Sequence, residues 1–200
     1  MPKKVKRPTR APQMLPEERR KQLLRAGVES FACKGIDGTK HADLARSCKV
    51  AVPTVFSYFN NRVELVNAIL QEVGSSILKN VIEPAQALPD QSARLPATAS
   101  FYIEYAGREP DYVKVWLMWS MHFAPDIQVQ FRKFENRLIS AMAEIIQPGS
   151  SNDDPNQDIH DRARVVIASS NFLAKMVFDG VSEERRALFA QHVMESVQEQ

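Results

Sequence analysis

Apolar residues recur at three- and four-residue intervals through nearly the whole chain, the period of an amphipathic helix, and no strand-like alternation of useful length interrupts them. Leu24, Val28 and Phe31, with Leu23, Gly27 and Ala32 beside them, mark the buried face of a first helix. Pro16 opens it, Glu17 and Glu18 suit the positive end of its dipole, and Gly35 ends it. A short second helix follows over residues 40–47, with Thr39 as N-cap and Leu44, Ala45 and Cys48 on its buried side. A third covers residues 52–59. Pro53 sits in its first turn, Val52, Val55, Phe56 and Phe59 follow the buried spacing, and Thr54, Ser57 and Tyr58 lie on the exposed side. Two short helices joined by a tight turn, one packed inside and one presenting small polar groups, form a helix-turn-helix; a helical hairpin within an ordinary core is the plainer alternative.

Asn61 then caps a fourth helix, with Glu64 as its capping-box partner. Its stripe runs through Leu65, Val66, Ile69, Leu70, Val73, Ile77 and Val81, and Pro84 and Pro89 are expected to break the chain beyond it. The remainder reads as helix at about residues 92–107, 111–123, 125–146, 158–179 and 182–198, with a polar loop over 147–157. The expectation is an all-α chain of about nine helices. It divides into a flexible arm at 1–14, a three-helix amino-terminal domain at 15–62 and a helical body at 63–200, with the junction along the fourth helix.

Charge changes the picture. The net charge of the 200 residues is only +2, but residues 1–62 hold 14 Lys and Arg against 5 Asp and Glu, and the remainder holds 12 against 19. A basic third on an acidic body is the electrostatic footprint of a polyanion-binding protein, and its place around a helix-turn-helix points to DNA rather than to a membrane surface. The arm, with Lys3, Lys4, Lys6, Arg7 and Arg10 among three prolines, is either a solvated tail or a segment that enters the minor groove on binding. No apolar run is long enough to span a bilayer, and no apolar segment follows the basic start, so a cytoplasmic location without a secretory signal is expected. Cys33 and Cys48 read as buried reduced thiols, and the four scattered histidines make no metal site, so no cofactor is expected. An all-helical enzyme is the remote alternative. Its one thin candidate, His122 with Asp126, reads better as a pair of solvated side chains.

The run His41-Ala42-Asp43-Leu44-Ala45, then Val50-Ala51-Val52-Pro53-Thr54-Val55-Phe56-Ser57-Tyr58-Phe59, then Arg62-Val63-Glu64-Leu65-Val66, resembles the amino-terminal domain of the TetR family of transcription regulators. Phe31-Ala32, Gly35-Ile36, His41-Ala42-Asp43, Thr54-Val55-Phe56, Lys114-Val115-Trp116 and Trp119-Ser120, with Lys6-Arg7-Pro8 and Arg10 in the arm, narrow the resemblance to the LuxR/HapR quorum-sensing regulators. It is strong over about residues 5–66, clear at 112–120 and thin elsewhere. It implies a homodimer that binds a double-stranded DNA operator. A helix-turn-helix places the amino-terminal end of its second helix in the major groove, which assigns Val52, Pro53 and Thr54 to base edges and Ser57 and Tyr58 to base edges or phosphates. Thr39, Lys49 and Arg62 sit at the rims as phosphate ligands. The resemblance places Tyr58 and Arg62 at phosphate and Lys6, Arg7 and Arg10 in the arm. Ser57 stands where the LuxR/HapR group has Asn, and Ala51 where it has Ser.

In the body, Tyr102, Tyr105, Tyr112, Trp116, Trp119, Phe131 and Phe134 are either core packing or the walls of an apolar pocket. The resemblance implies a pocket beside Trp116. The expected lining is Ile77, Val81, Tyr102, Trp116, Ile139, Met142 and Val166, together with Glu135, which replaces a neutral amide of the group. A small apolar effector is the expected ligand. The last two helices, with stripes at Ala163, Val166, Ile167, Ser170, Leu173, Ala174 and Val177 and at Leu188, Phe189, Val193 and Val197, are expected to form the dimer interface. The alternative within the same mechanism is an effector-responsive local repressor of an efflux or catabolic gene.

Overall fold

The computed structural model describes residues 14–149 and 157–198. Lys6, Arg7 and Arg10 of the arm lie outside the described residues. The described residues are helical throughout, in the order α1 (Pro16–Gly38), α2 (His41–Cys48), α3 (Val52–Phe56), α4 (Arg62–Ile77), a π-helical turn (Leu78–Ile82), α5 (Glu83–Gln86), α6 (Gln91–Arg108), α7 (Pro110–Ser120), α8 (Pro125–Ile146), α9 (Gln157–Phe178) and α10 (Glu183–Gln198). The backbone stays helical from α4 through the π-turn into α5. Taken as one rod, they leave nine helices among the described residues, as the periodicity predicts.

Local sequence explains where the helices stop. Gly35 takes φ +79°, the left-handed region that favours glycine, and kinks α1 before its last turn. Lys49 holds the left-handed position after α2 (φ 55°, ψ 44°), and Val50 N–H then returns to the Ala45 carbonyl at 3.0 Å. The third helix ends at Phe56, three residues earlier than its apolar spacing predicts. Ser57 Oγ donates to the Thr54 carbonyl at 2.7 Å and the chain turns, yet Phe59 is still buried. At the start of α4, Asn61 accepts the Glu64 N–H at 2.9 Å, while the Glu64 carboxylate reaches back to the Asn60 N–H rather than to that of Asn61.

Two expectations are corrected here. Pro84 does not break the chain. It sits inside the last turn, and the carbonyl four residues before it belongs to Asn80, within the π-turn. A π-turn holds one residue more than an α-turn, which moves that carbonyl away from the proline ring. The stripe on α9 assigned to a partner instead packs on this chain: Ala163, Val166, Leu173 and Ala174 are buried, as is Val197 of α10. Val165, Phe172 and Phe178 of α9 and Leu188 of α10 are the large apolar residues left exposed there.

The two domains share one contiguous core that runs from Leu23 to Val197. The most extensive helix contact is α1 against α7, and α4 packs on both. Polar ties follow the same seam. Arg25 Nη1 donates to Glu109 Oε2 at 2.5 Å, and its guanidinium lies 5.3 Å from the centre of the Tyr112 ring. His122 Nε2 meets Asp37 at 3.1 Å and not Asp126, its expected partner. No helix among the described residues is long and apolar enough to cross a membrane.

Glycine allows the closest approaches. A Cβ on Gly74 would stand 2.6 Å from the Phe134 ring, which is itself packed between Trp116 and Trp119, whereas a Cβ on Gly107 meets nothing within 4 Å. Gly74→Ala is therefore expected to destabilise the fold by about 1–3 kcal/mol through overpacking. Gly107→Ala should stabilise it by roughly 0.5–1 kcal/mol through the restricted unfolded chain. Urea denaturation checks both signs, and equal effects would contradict the packing described.

Candidate nucleic-acid interface and effector cavity

The helix-turn-helix is held from beneath. Leu44, Ala45, Val55 and Phe59 are buried against Leu23, Val28 and Phe31 of α1 and Leu65 and Ile69 of α4. His41 is buried too. Its Nε2 donates to the Phe59 carbonyl at 2.9 Å, and its ring stacks on Phe56 at 4.1 Å between centroids. These contacts tie α2 to α3 and fix the outward face of α3. On that face Pro53 and Ser57 are exposed, and Thr54 and Tyr58 are half-buried. Val52 and Phe56, predicted to lie on the buried stripe, are 38% and 43% exposed and join this face. A helix of five residues has too few turns to bury four apolar positions, so only Val55 and, beyond the helix, Phe59 go inside. Lys49 is exposed in the turn, beside the amino-terminal end of α3.

Two rim residues do other work. Thr39 is wholly buried. Its Oγ1 donates to the Gly35 carbonyl at 3.2 Å and pairs with Ser30 Oγ at 3.0 Å, so it braces the kink and neither caps α2 nor meets a phosphate. Lys40 is the N-cap position of α2, and its N–H donates to Asp43 Oδ2 at 2.9 Å. Arg62 donates to the carbonyls of Thr39, Ile36 and Asp37 at 2.5, 2.9 and 3.1 Å. Its guanidinium thus closes the open end of α1 onto the start of α4. Lys40 and Arg46, which periodicity alone places on the solvent side of α2, are exposed and were not among the expected contacts. Cys48 is buried, and burial raises its thiol pKa; Cys33, expected inside, is exposed.

In the body the expected lining residues divide among three spaces. Ile77, Val81, Tyr102, Trp116 and Met142 line one apolar cavity of about 30 Å³, with Ile82, Thr98, Leu138, Ile167 and Ser170 completing it. Glu135 and Ile139 line a neighbouring hollow of about 260 Å³, which shares Trp116 and Ile167 with the first and adds Arg164 and Asn171. Val166 faces a third, between α6, α9 and α10. A volume of about 30 Å³ holds little more than one water, so the apolar cavity is closed in this conformation. The Trp116 Nε1–H is satisfied by Asn171 Oδ1 at 2.8 Å. The Tyr102 hydroxyl is buried without a hydrogen-bond partner, and burial raises its pKa far above the ordinary phenol value, so it is a neutral donor.

Residues 23–69 match the family model for the bacterial regulatory proteins of the tetR family, the segment that holds the helix-turn-helix and the start of α4. That segment is similar to the DNA-binding domain of the tetR family. The HTH-type transcriptional regulator LuxR of Vibrio harveyi is 33% identical over 108 residues, which cover 52% of this chain and 51% of that protein. The chain thus spans about half the length of the curated relative it matches. A TetR-like transcriptional regulator from Rhodococcus sp. RHA1 superposes with a TM-score of 0.74 at 18% identity, over 92% of this chain and 98% of that one. AibR, solved with isovaleryl coenzyme A and operator DNA, superposes with a TM-score of 0.69 at 15% identity, over 90% and 97%. The structural matches show that the TetR-like fold extends through the helical body.

The carboxyl of Asp43 has its pKa lowered, first by the hydrogen bond from Lys34 Nζ at 2.5 Å and then by the Lys40 N–H. A carboxylate with a lower pKa in the folded state contributes stability above its unfolded pKa and loses it as pH falls through the folded value. Asp43→Asn should be less stable than the wild type near neutral pH. That deficit should shrink between about pH 4 and pH 2 as the wild-type carboxyl is protonated. Urea titrations across that range measure it, and a constant deficit would remove Asp43 from the linkage.

Proposed function

We propose that the protein is a sequence-specific transcription regulator that binds operator DNA as a homodimer and is released or retained by a small apolar effector. The observation that carries this reading is the exposed face of α3, from Val52 to Tyr58, held rigidly on a basic amino-terminal third. Val52, Pro53 and Thr54 meet base edges, Tyr58 and Lys49 meet phosphate, and Ser57, whose hydroxyl donates inward to Thr54, keeps only acceptor lone pairs, which suit a base amino group and not a phosphate. Lys6, Arg7 and Arg10 add phosphate or minor-groove contacts from the arm. Lys40 and Arg46 widen the basic rim. One such motif reads only a few base pairs, so two copies must be held at about 34–36 Å, one turn of DNA. The exposed Val165, Phe172 and Leu188 supply an apolar face on α9 and α10 for that pairing.

The likeness to LuxR of Vibrio harveyi supports a role close to the LuxR/HapR quorum-sensing regulators. Ser57 and Ala51, which depart from that group's pattern, favour a different operator and keep a local, effector-responsive repressor as the second reading. Effector control is supported by the unpartnered Tyr102 hydroxyl in a mostly apolar cavity, where the Thr98 and Ser170 hydroxyls are already bonded to backbone, and by AibR, which was solved with both a ligand and operator DNA. An apolar molecule with one hydrogen-bond acceptor fits that donor. Entry must open the cavity between α6, α8 and the far end of α4, and α4 carries the displacement to the reading head.

Two measurements test this. On operators obtained by selection from random DNA, Tyr58→Phe should weaken all sequences about equally, while Thr54→Ala should reorder them by about 1–3 kcal/mol at a contacted position. Wild-type affinity should also fall steeply between roughly 50 and 200 mM salt. Uniform scaling by both variants would show that the docking is wrong. For the cavity, apolar compounds are screened by tryptophan fluorescence and titrated with and without operator. Affinity should change by the same factor that the compound changes DNA affinity. Tyr102→Phe should weaken acceptor-bearing compounds roughly tenfold while DNA affinity stays near wild type. Identical titrations with and without operator would mean that the cavity is uncoupled.

A further inference from the structure

On the side of α4 away from the apolar cavity lies a second hollow, of about 220 Å³, between α4 and α8. Asn67, Gln71 and Ser75 face it from α4, spaced one turn apart, and Gln130, Lys133 and Arg137 face it from α8. Leu70, Phe134 and Trp119 form its apolar wall.

Its chemistry is one-sided. No carboxylate lines it, and every polar side chain that does can donate a hydrogen bond. Lys133 and Arg137 form no ion pair among the described residues. At the wall, the Trp119 Nε1–H is buried and has no hydrogen-bond partner, although the ring is 98% buried and held between Phe131 and Phe134. A buried donor without an acceptor is costly. Two unpaired cations, a ring of neutral donors and an orphan indole N–H against an aromatic wall all lack the same thing, an anionic acceptor carried on a small planar apolar group.

We propose that this hollow binds a small aromatic molecule bearing an anionic oxygen group, a carboxylate or a phosphate. The anion meets Lys133 and Arg137, an oxygen takes the Trp119 N–H, and the ring packs on Phe134 and Leu70. The proposal stands apart from the apolar cavity, which has a different lining and no cation. It is distinct in consequence as well, because a ligand here ties α8 to the middle of α4.

The test uses the full-length protein labelled with 15N at its indoles, in which two tryptophan N–H signals are expected and Trp119→Phe assigns them. Benzoate and phenyl phosphate are the anionic probes, and benzamide is the neutral isostere. At least one anion should move the Trp119 N–H signal in a saturable way while leaving that of Trp116 nearly fixed. Benzamide should bind roughly tenfold more weakly or worse, as should the anion in the Lys133→Ala/Arg137→Ala variant, whose substitutions lie at exposed positions. Which anion binds tighter identifies the group. Tyr102→Phe should leave this binding unchanged, which separates it from effector binding in the apolar cavity. The proposal is overturned if neither anion moves the Trp119 signal, if benzamide binds as well, if the double variant binds equally, or if Tyr102→Phe abolishes the shift.

Discussion

The structure depends on the continuous helical backbone of one rod, from Arg62 to Gln86. Its first half is buried in the same core as the helix-turn-helix through Leu65, Val66 and Ile69, and its second half is buried among α6, α7 and α8 through Val73, Ile77 and Val81. A helix cannot rotate or slide at one end while the other stays fixed unless a turn of it melts. Whatever moves the far end must therefore either move the reading head or break the rod. Arg62 strengthens that constraint where it matters most, because its three carbonyl contacts fasten the head of the rod to the kinked end of α1.

The rod does not act alone. The packing of α1 on α7, with Arg25 reaching Glu109 and stacking over Tyr112, gives the amino-terminal domain a second attachment to the body. Tyr112 in turn donates to Glu72 of the rod at 3.3 Å, and Tyr105 donates to Ser76 at 2.7 Å. A reading head attached along two lines can tilt about the axis they define, but it cannot swing freely. That favours small, directed displacements over large ones. The acidic excess of the body and the basic excess of the head also keep the body's field from drawing DNA away from α3.

Much of this was legible in the sequence because helix ends are local. Gly35, Pro16 and Pro125 act through their own backbone, Asn61 through a side chain that reaches only three residues ahead, and the apolar stripe of the rod is long enough to fix its phase. What was not legible depends on partners far along the chain. Thr39 has the composition of a cap or a phosphate ligand, and only its proximity to Ser30 and the Gly35 carbonyl makes it a brace. Arg62 reads as a free cation until three carbonyls converge on it. A stripe on α9 shows that one face is apolar, but not whether that face meets its own chain or another. Of the eight expected lining residues, five meet in one cavity; the other three point into adjacent spaces because helix phase resolves a face to about a third of the circumference, not to a particular void.

The π-turn at Leu78–Ile82 also bears on how this chain can vary in length. Elsewhere in the rod, losing one residue turns everything beyond it by about 100°, which would carry Ile77 and Val81 out of the core and misdirect every later helix. The π-turn already holds one residue in excess. A deletion there converts it to an ordinary α-turn and leaves the faces on either side in phase. With Pro84 in place, such a deletion also returns a carbonyl to the proline ring, so a change of length should be tolerated at this turn only together with replacement of Pro84.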